Sequence, residues 1–434
     1  MSATTDQGRD AGVSHAAKNR ALVKLVSTTA VGFGVFLSGF VIDEPAPYEL
    51  YMAGLIGIWA LFGLRLSRTV SVLLAILVVF NIGGVISMGQ MPDLKTAPMY
   101  IAVSLFLGVT AVFFAAIINA NHRILPVIFN AYILAAVCTS LLGILGYFDA
   151  FPGAEVFTRY GRAMGAFQDP NVFGPFLMLP LAWLVHGVLV GDLRALPIRL
   201  IPILIITLGI FLSFSRAAWG MAALIIAGLA LLLFVRNPDR LFRLRIILLA
   251  CLAVVVVVLA VVVALQIPSV AELFTARAQL VQDYDDAQFG RFARHWYGLL
   301  MSIDHPFGIG PLEFGPIFGE DTHNIWLKAA LDYGWIGFIS YLTLTMLTLA
   351  LGLRILFRER PWQPFLLCAY LVYVMHVAIG NVIDTDHWRH FWLLIGIVWG
   401  CAALEVRHQN RQKSTEVFPP EHAQRSCDRI GSHE

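Results

Sequence analysis

A small number of arginines stand in polar segments between long apolar stretches, where a guanidinium group could bind an anion. Arg216 follows Ser213 and Ser215 in "FLSFSRAAWGMAALI", a tight turn between two apolar stretches, while Arg291 and Arg294 lie in a long polar segment. The planar guanidinium binds two phosphate oxygens at once, which favours a phosphate site. At the end of a membrane helix the same side chain can instead snorkel to the interface, so both interpretations stay open for Arg216.

The long polar segment also contains a histidine of interest, His323, within "DTHNIWLKAALDYGWIGF". It follows Glu320 and Asp321, and a histidine close to carboxylates can act as a general base near neutral pH. The alternative is an ordinary start of a helix, with Asp321 or Thr322 as the N-cap residue. The local sequence is compatible with both interpretations.

A second polar segment, 147–171, ends in "RYGRAMGAFQDPN". Its Arg159 and Arg162 can add charge to an anion site, but they can equally cap helices or contact lipid phosphates. The run from Asp169 to Asn171, with a proline between them, is typical of a turn and predicts that the next helix begins there.

The last polar turn, "NVIDTDHWRH", is dense in ionisable side chains for its length. Connections between packed elements usually run over the surface of a protein. We therefore predict a solvated turn at the membrane surface. Its ionisable residues are Asp384, Asp386, His387, Arg389 and His390.

The elements that must position these residues are apolar. Of 434 residues, 58% are hydrophobic and 13% are charged, against about 45–50% and about 25% in soluble domains. The excess lies in blocks of about 20 residues, enough to cross a bilayer as a helix. This excludes a soluble globular enzyme and a disordered protein, and it argues against a nucleic-acid partner. We predict an all-α polytopic membrane protein with about twelve transmembrane helices: 23–41, 48–64, 69–88, 97–118, 124–146, 172–191, 198–213, 217–235, 244–265, 333–353, 363–380 and 388–404.

The basic residues predict an orientation. With the N-terminus in the cytoplasm, 21 of the 30 lysines and arginines fall on the inside, and every inside connection carries at least one. Both termini are then cytoplasmic. The predicted divisions are a cytoplasmic N-terminal tail 1–22, spans one to nine in 23–265, a large outer loop 266–332, spans ten to twelve in 333–404, and a cytoplasmic C-terminal tail 405–434.

The large outer loop contains one clear helical pattern. Phe292, Trp296, Leu299, Leu300 and Ile303 follow at spacings that place them on one face of a helix. Such a helix, apolar on one side only, is typical of a segment that lies on a membrane surface. We therefore predict short helices inside this loop.

The five cysteines show no CxxC spacing and no cluster with histidines. Cys138, Cys251, Cys368 and Cys401 lie in apolar blocks, and Cys427 lies near the C-terminus. We therefore predict no disulfide framework and no metal site.

Three segments, taken together and in order, resemble a known family. They are "GRAMGAFQDPNVFGPFLML", "SFSRAAWGMAAL" and "GRFARHWYGLLMSIDHPFGIGPLEFG" followed by "THNIWLKAALDYGWIGF", and they cover roughly 160–340. The chain resembles the O-antigen ligase/polymerase superfamily of bacterial envelope proteins, which are WaaL- and Wzy-like membrane glycosyltransferases. The ordered set is specific for the superfamily and does not distinguish its member activities.

The resemblance implies a GT-C type fold and a transferase that needs neither metal nor cofactor. Such enzymes move a glycan from undecaprenyl diphosphate to an acceptor hydroxyl at the periplasmic face of the bacterial inner membrane. The implied partners are the lipid-linked glycan, a glycan or lipid A-core acceptor, and membrane lipids. By motif, Arg216 and Arg291 resemble the arginines that hold the diphosphate, and His323 resembles the histidine that activates the acceptor or assists the leaving group. Arg162, Arg294 and Asn324 are candidates to support that site.

Other functions remain open from the sequence. A polymerase of the same superfamily would need the same diphosphate site, and the ligase-like activity is favoured only slightly over it. A secondary transporter would carry its binding residues near the middle of the membrane, whereas the polar residues here gather in outer segments, with His186 and His376 as the main exceptions. A structural assembly factor would need neither the outer arginines nor His323.

Overall fold

The computed structural model describes residues 6–63, 65–94, 96–278 and 290–417. Almost all of the regular structure in these ranges is α-helix. The α-helices, in chain order, are α1 Asp6–Leu37, α2 Pro47–Leu61, α3 Arg68–Met88, α4 Ala97–Ala120, α5 Leu125–Tyr147, α6 Pro170–Phe176, α7 Met178–Val190, α8 Leu196–Leu212, α9 Arg216–Arg236, α10 Arg240–Ala264, α11 Pro268–Ala278, α12 Arg291–Asp304, α13 Phe314–Phe318, α14 Ile325–Asp332, α15 Gly334–Leu356, α16 Gln363–Ile379 and α17 Arg389–Val417. Short 3₁₀ turns lie at His122–Ile124, Ala154–Phe157 and Leu193–Ala195, and two short strands, β1 Thr158–Arg159 and β2 Arg162–Ala163, pair antiparallel.

The predicted fold class is confirmed, because every predicted span overlaps α-helix in the described residues. Nine described helical stretches are long and apolar enough to cross a membrane, and α8 and α16 are apolar but shorter. The other three predicted spans, 48–64, 198–213 and 363–380, correspond to the shorter helices α2, α8 and α16. A helix rises about 1.5 Å per residue, so the 15 residues of α2 and the 17 of α8 or α16 reach only about 23–26 Å.

One predicted span is interrupted for a clear chemical reason. The stretch Pro170–Val190 divides at Leu177 into α6 and α7. Pro180 has no backbone N–H to donate to the carbonyl of Phe176, which a continuous helix would require. The hydroxyl of Tyr132 on α5 donates to that carbonyl instead, at 2.9 Å.

The last long helix, α17, forms the centre of the bundle and is buried from Arg389 to Glu405. It packs closely against α4, where Gly396 and Gly400 face the carbonyls of Ala111 and Ala115 so closely that a side chain at either glycine would collide with α4. Small residues at helix contacts are the usual means of close packing in membranes. By contrast, α10 is almost entirely exposed, as expected of a helix that faces lipid.

The two ends of the bundle differ in what they carry. At the Met88 end of α3, the Ser87 hydroxyl donates to the carbonyl of Leu331 at 3.4 Å and accepts from the N–H of Gly310 at 3.0 Å. The long loop is thereby attached to this end, which we call the loop end. The starts of α4 and α17 also meet near each other at the loop end, because the hydroxyl of Tyr100, in the first turn of α4, donates to Asp386, just before α17. The opposite end, where α3 begins and α4 ends, is called the far end.

The terminal helices extend beyond the predicted spans. The helix α1 begins at Asp6, inside the segment predicted as an N-terminal tail, and α17 continues past residue 404 to Val417. Residues 418–434, which include Cys427 and most of the predicted C-terminal tail, lie outside the described residues. Residues 279–289 of the large loop also lie outside them.

Candidate functional site

His323 lies at the loop end, immediately before α14, with a left-handed backbone conformation (φ 48°). This conformation is uncommon for a residue with a side chain, and residues held in it occur often at functional sites. The cap of α14 is Asn324, whose side chain accepts from the N–H groups of Trp326 at 3.0 Å and Leu327 at 3.2 Å. The expectation that Asp321 or Thr322 would cap this helix was therefore wrong.

Two carboxylates face the two ring nitrogens of His323. Its Nε2 lies 3.9 Å from Oε2 of Glu320, and its Nδ1 lies 3.9 Å from Oδ2 of Asp384. These separations are longer than hydrogen bonds, but both carboxylates are close enough to stabilise a protonated ring. The imidazole is about one-third exposed, so a substrate can reach it.

Glu320 connects His323 to a predicted supporting residue, Arg294. The guanidinium Nη1 of Arg294 lies 2.5 Å from Oε2 of Glu320, and the arginine side chain is only 5% exposed. The structure therefore brings together His323 and Arg294 within one loop. The second supporting residue, Asn324, holds the loop through its cap.

The segment that supplies Asp384 is tied to α14 by three hydrogen bonds. Asn324 donates through Nδ2 to the carbonyl of Asn381 at 3.1 Å, and Trp326 donates through Nε1 to Oδ1 of Asn381 at 3.2 Å. The backbone N–H of Ile325 donates to the carbonyl of Gly380 at 2.8 Å. These contacts hold His323 opposite Asp384.

The prediction of a solvated turn around Asp384 was wrong, because most of its ionisable side chains are buried and paired. Asp386 is 2% exposed, and it accepts from the Tyr100 hydroxyl at 2.7 Å and contacts Nδ1 of His387 at 2.9 Å. Burial opposes ionisation of Asp386, but His387 next to it and these hydrogen bonds hold its pKa well below the usual value. Arg389 is buried against Glu49, at 2.6 Å.

A buried lysine, Lys328, lies among four carboxyl groups, one of which is Asp384. We call Asp321, Asp332, Asp384 and Asp386, together with Lys328, the acidic cluster. The Nζ of Lys328 is 2.7 Å from Asp321 and 3.2 Å from Asp332, and it also lies 5.4 Å from the ring centre of Tyr100. Although burial lowers the pKa of Lys328, the carboxylates around it raise that pKa well above its ordinary value.

Two carboxyl groups of the acidic cluster have raised pKa values. Burial is the main cause that raises the pKa of Asp332 to about 7 and that of Asp384 to about 8, while Lys328 opposes both shifts. Both residues therefore hold a proton for part of the time near neutral pH. Among the described residues no group of three or more His, Cys, Asp or Glu side chains is arranged to hold a metal ion.

The sequence did not reveal the acidic cluster, although one signal was present. The density of ionisable residues in "NVIDTDHWRH" exceeds what a short solvated turn needs. Lys328 gave no signal, because its sequence neighbours are typical of a helix that begins after a cap.

Arg216 is the first residue of α9, and its turn has unusual geometry. Phe214 has a left-handed conformation (φ 46°), and the Ser215 side chain caps α9. Arg162 braces the turn, because its Nε donates to the carbonyl of Ser213 at 2.7 Å and its Nη2 donates to Oδ1 of Asn171 at 2.9 Å. Arg162 is 5% exposed, so it supports the turn from a buried position.

The remaining predicted residue, Arg291, begins α12, and its side chain lies outside the described part of the chain. The predicted helix in this region is confirmed by α12. The predicted apolar face of α12 is exposed on the protein: Phe292, Trp296 and Ile303 are each about 60% exposed. The opposite face, with Arg294 and Ser302, is buried.

Comparison with known families fits this geometry. Residues 201–342 match the family model described as O-antigen ligase. The matched range contains the Arg216 turn, the described part of the loop from residue 290 and His323. The resemblance to the O-antigen ligase/polymerase superfamily is confirmed over this range.

The match indicates a glycosyltransferase-like membrane enzyme of the O-antigen ligase/polymerase type. The acidic cluster lies only partly inside the range, since Asp384 and Asp386 follow it. No curated protein matches the chain.

Proposed function

We propose that this protein transfers a glycan from undecaprenyl diphosphate to an acceptor hydroxyl at the periplasmic face of the inner membrane, as an O-antigen ligase does. The observation that carries the proposal is the O-antigen ligase match over 201–342, which includes Arg216, Arg291 and His323. The left-handed backbone at Phe214 and at His323 supports it, because strain of this kind is retained where function requires a fixed side chain.

In the proposed reaction the acceptor oxygen attacks the anomeric carbon of the lipid-linked glycan. A bond forms between that oxygen and that carbon, while the bond from the carbon to the diphosphate oxygen breaks, and its electron pair stays on the diphosphate. The hydroxyl proton passes to Nε2 of His323, which acts as a general base. Attack from the side opposite the leaving group inverts the anomeric configuration.

The leaving diphosphate gains negative charge as the bond breaks, and fixed cations must stabilise it. We assign this role to Arg216 and Arg291, since a guanidinium binds phosphate oxygens through paired hydrogen bonds. Loss of one such preorganised donor typically lowers kcat about 100- to 1,000-fold. Arg162 holds the Arg216 turn, and Arg294 holds Glu320 beside His323, so both act as positioning residues.

The first experiment is deletion of the gene in its host, followed by analysis of lipid-linked and surface glycans. Long polymer that accumulates on undecaprenyl diphosphate and disappears from lipid A-core supports the ligase activity. Single repeat units left on the carrier or on the core would instead indicate a polymerase, and would contradict the ligase assignment. Unchanged pools in a host without a related enzyme would contradict the whole proposal.

The second experiment tests the site in the same host with variant genes. Arg216→Ala and His323→Ala should each reduce transfer at least about 100-fold at equal protein level. Arg236→Ala is the matched control, because it removes an arginine from the other end of the same helix α9. Full activity of the Arg216 and His323 variants would contradict the site assignment.

A further inference from the structure

A second polar site lies at the far end of the bundle, about one bilayer thickness from His323. The helix α17 begins at the loop end with Arg389 and reaches Arg407 after 18 residues, a rise of about 27 Å. The hydrocarbon core of a bilayer is about 30 Å thick. Residues around Arg407 are therefore at the depth of the phosphate groups of the opposite leaflet.

A cleft of about 670 Å³ opens between the start of α3, the end of α4 and this part of α17. Three arginines and several neutral polar side chains line it, and neither aspartate nor glutamate is among the described lining residues. This composition favours an anionic ligand. The polar lining residues that concern us are Ser67, Arg68, Asn119, Arg407, Asn410 and Arg411.

The wall formed by α3 and α4 adds two features that favour a phosphate group. The first turn of the 21-residue helix α3, at Arg68 and Thr69, forms one side, so the positive end of the helix dipole faces the cleft. Asn119 lines the same side of the cleft, and its amide NH₂ group can donate a hydrogen bond to a phosphate oxygen.

The cleft also has an apolar part. Ala403 and Val406 line it, and Val406 is 48% exposed on the outside of the bundle. The side chain of Arg407 is anchored beside them, because its Nη1 donates to the carbonyl of Ala120 at 3.5 Å. A ligand with both a phosphate and an acyl chain would satisfy the polar and the apolar parts together.

We propose that this cleft binds an anionic phospholipid, with the headgroup phosphate between Arg68 and Arg407 and an acyl chain along Val406. Basic clefts between membrane helices are known to favour such headgroups. Free inorganic phosphate has the same charge chemistry but could use only the polar part. The proposal does not depend on the transfer reaction at the loop end.

The test is a lipid titration of the purified full-length protein in detergent, with the melting temperature as the readout. A ligand that binds the folded state raises this temperature. Phosphatidylglycerol, phosphatidylcholine and inorganic phosphate are added separately. The cleft variant is Arg68→Gln/Arg407→Gln, and the matched control is Arg236→Gln/Arg240→Gln, which removes two charges from the same end of the bundle but outside the cleft.

Phosphatidylglycerol should stabilise the wild type and the control more than phosphatidylcholine does, and its apparent Kd should be at least tenfold weaker for the cleft variant. Val406→Trp keeps every charge but fills the apolar part, and it should weaken the response to phosphatidylglycerol as well. Equal apparent Kd values for phosphatidylglycerol in the cleft variant and the control would overturn the proposal. A response to inorganic phosphate equal to that of phosphatidylglycerol would also overturn it, in favour of a free phosphate ion.

Native mass spectrometry of the wild type gives a measurement that does not depend on the variants. Protein that retains phosphatidylglycerol in preference to phosphatidylcholine from an equimolar mixture supports the proposal. Equal retention of the two lipids would overturn it.

Discussion

Asp384 is the carboxylate best placed to act on the proposed base without touching the substrate. It lies 3.9 Å from Nδ1 of His323, and the opposite nitrogen, Nε2, is the atom proposed to take the proton. An ionised carboxylate at Nδ1 stabilises the imidazolium that forms, as the aspartate of a catalytic triad does. Burial raises the pKa of Asp384 to about 8, so only part of the protein has this carboxylate ionised at neutral pH.

We therefore expect kcat/KM for glycan transfer to increase as the pH rises through about 8, because the ionised fraction of Asp384 increases there. Asp384→Asn should lose this increase and have about 100-fold lower kcat at high pH. The measurement is a pH profile of transfer in proteoliposomes. The control is Asp304→Asn, an exposed carboxyl group on α12. If Asp384→Asn kept the wild-type pH profile, Asp384 would neither position His323 nor stabilise its protonated ring.

Lys328 stabilises the folded protein, because its ammonium group neutralises part of the negative charge of the four carboxyl groups around it. We expect Lys328→Met to destabilise the protein by about 3–5 kcal/mol, the usual result when one partner of a buried ion pair is removed. The second change Asp332→Leu should restore part of this loss. The measurement is thermal unfolding in detergent, with the exposed Lys24→Met as control.

The pH dependence of this loss has a definite sign. The pKa of Asp332 is raised to about 7 in the folded protein. As pH rises, Asp332 therefore loses its proton in the unfolded protein first and stays protonated in the folded protein up to about pH 7. The stability contribution of this group therefore falls as pH rises from about 4 towards 7. The defect of Lys328→Met should be larger at pH 8 than at pH 5, and the opposite order would contradict the role of Lys328.

Individual site residues differed in how well the sequence revealed them. Arg216 and His323 were identifiable because each stands in an outer segment next to an apolar stretch, where few charged groups occur. Asp384 and Lys328 were not recognised as their neighbours, because their association depends on contacts between distant segments. A buried lysine and a solvated lysine look the same in a sequence without its partners.

At the scale of elements, the attachment of the loop to α3 depends on a glycine. Gly308 has φ 85°, and a side chain there would collide with the Ser87 hydroxyl and the Leu331 carbonyl. Gly319 has nearly the same φ, 86°, but nothing lies within 4 Å of the position of a side chain. Substitutions at the two glycines therefore separate the free-energy cost of the backbone conformation from the cost of displacing the loop from α3.

We expect Gly319→Ala to lose about 1–2 kcal/mol of stability from the left-handed backbone alone, with activity largely retained. Gly308→Ala should destabilise the protein more and reduce transfer strongly, because the loop that carries His323 is displaced from α3. Melting temperature and transfer rate, measured on both variants, test this. Equal effects of the two substitutions would mean that the docking of the loop on α3 does not position the site.

The helices themselves were predictable from the sequence to within a few residues for most spans. A chain in lipid must satisfy its backbone hydrogen bonds internally, so an apolar stretch such as 69–88 has few alternatives to a helix. The break at Leu177 was not predicted, although Pro180 is visible in the sequence. A proline in a membrane helix is tolerated when another donor satisfies the freed carbonyl, and here that donor, Tyr132, comes from a different helix.

At the scale of the whole molecule, ion pairs are concentrated at the two ends of the bundle. At the loop end, Arg389 joins the start of α17 to Glu44 at 3.0 Å and to Glu49 at 2.6 Å. At the far end, Arg358 and Arg360 bind Glu405 at 2.7 and 2.8 Å. The long apolar region between them is consistent with two membrane interfaces, one at each end of α17.

The excess of basic residues predicts which end faces the cytoplasm. Of 30 lysines and arginines, 21 belong to the side predicted as inside, and the loop end is the other side. In a cysteine-free protein, we expect a membrane-impermeant maleimide to label Glu155→Cys in intact cells after outer-membrane permeabilisation. Glu359→Cys, at an exposed glutamate of the far end, should react only after the inner membrane is opened. The reverse pattern would place His323 in the cytoplasm, where a periplasmic acceptor cannot reach it, and would contradict both the orientation and the proposed transfer.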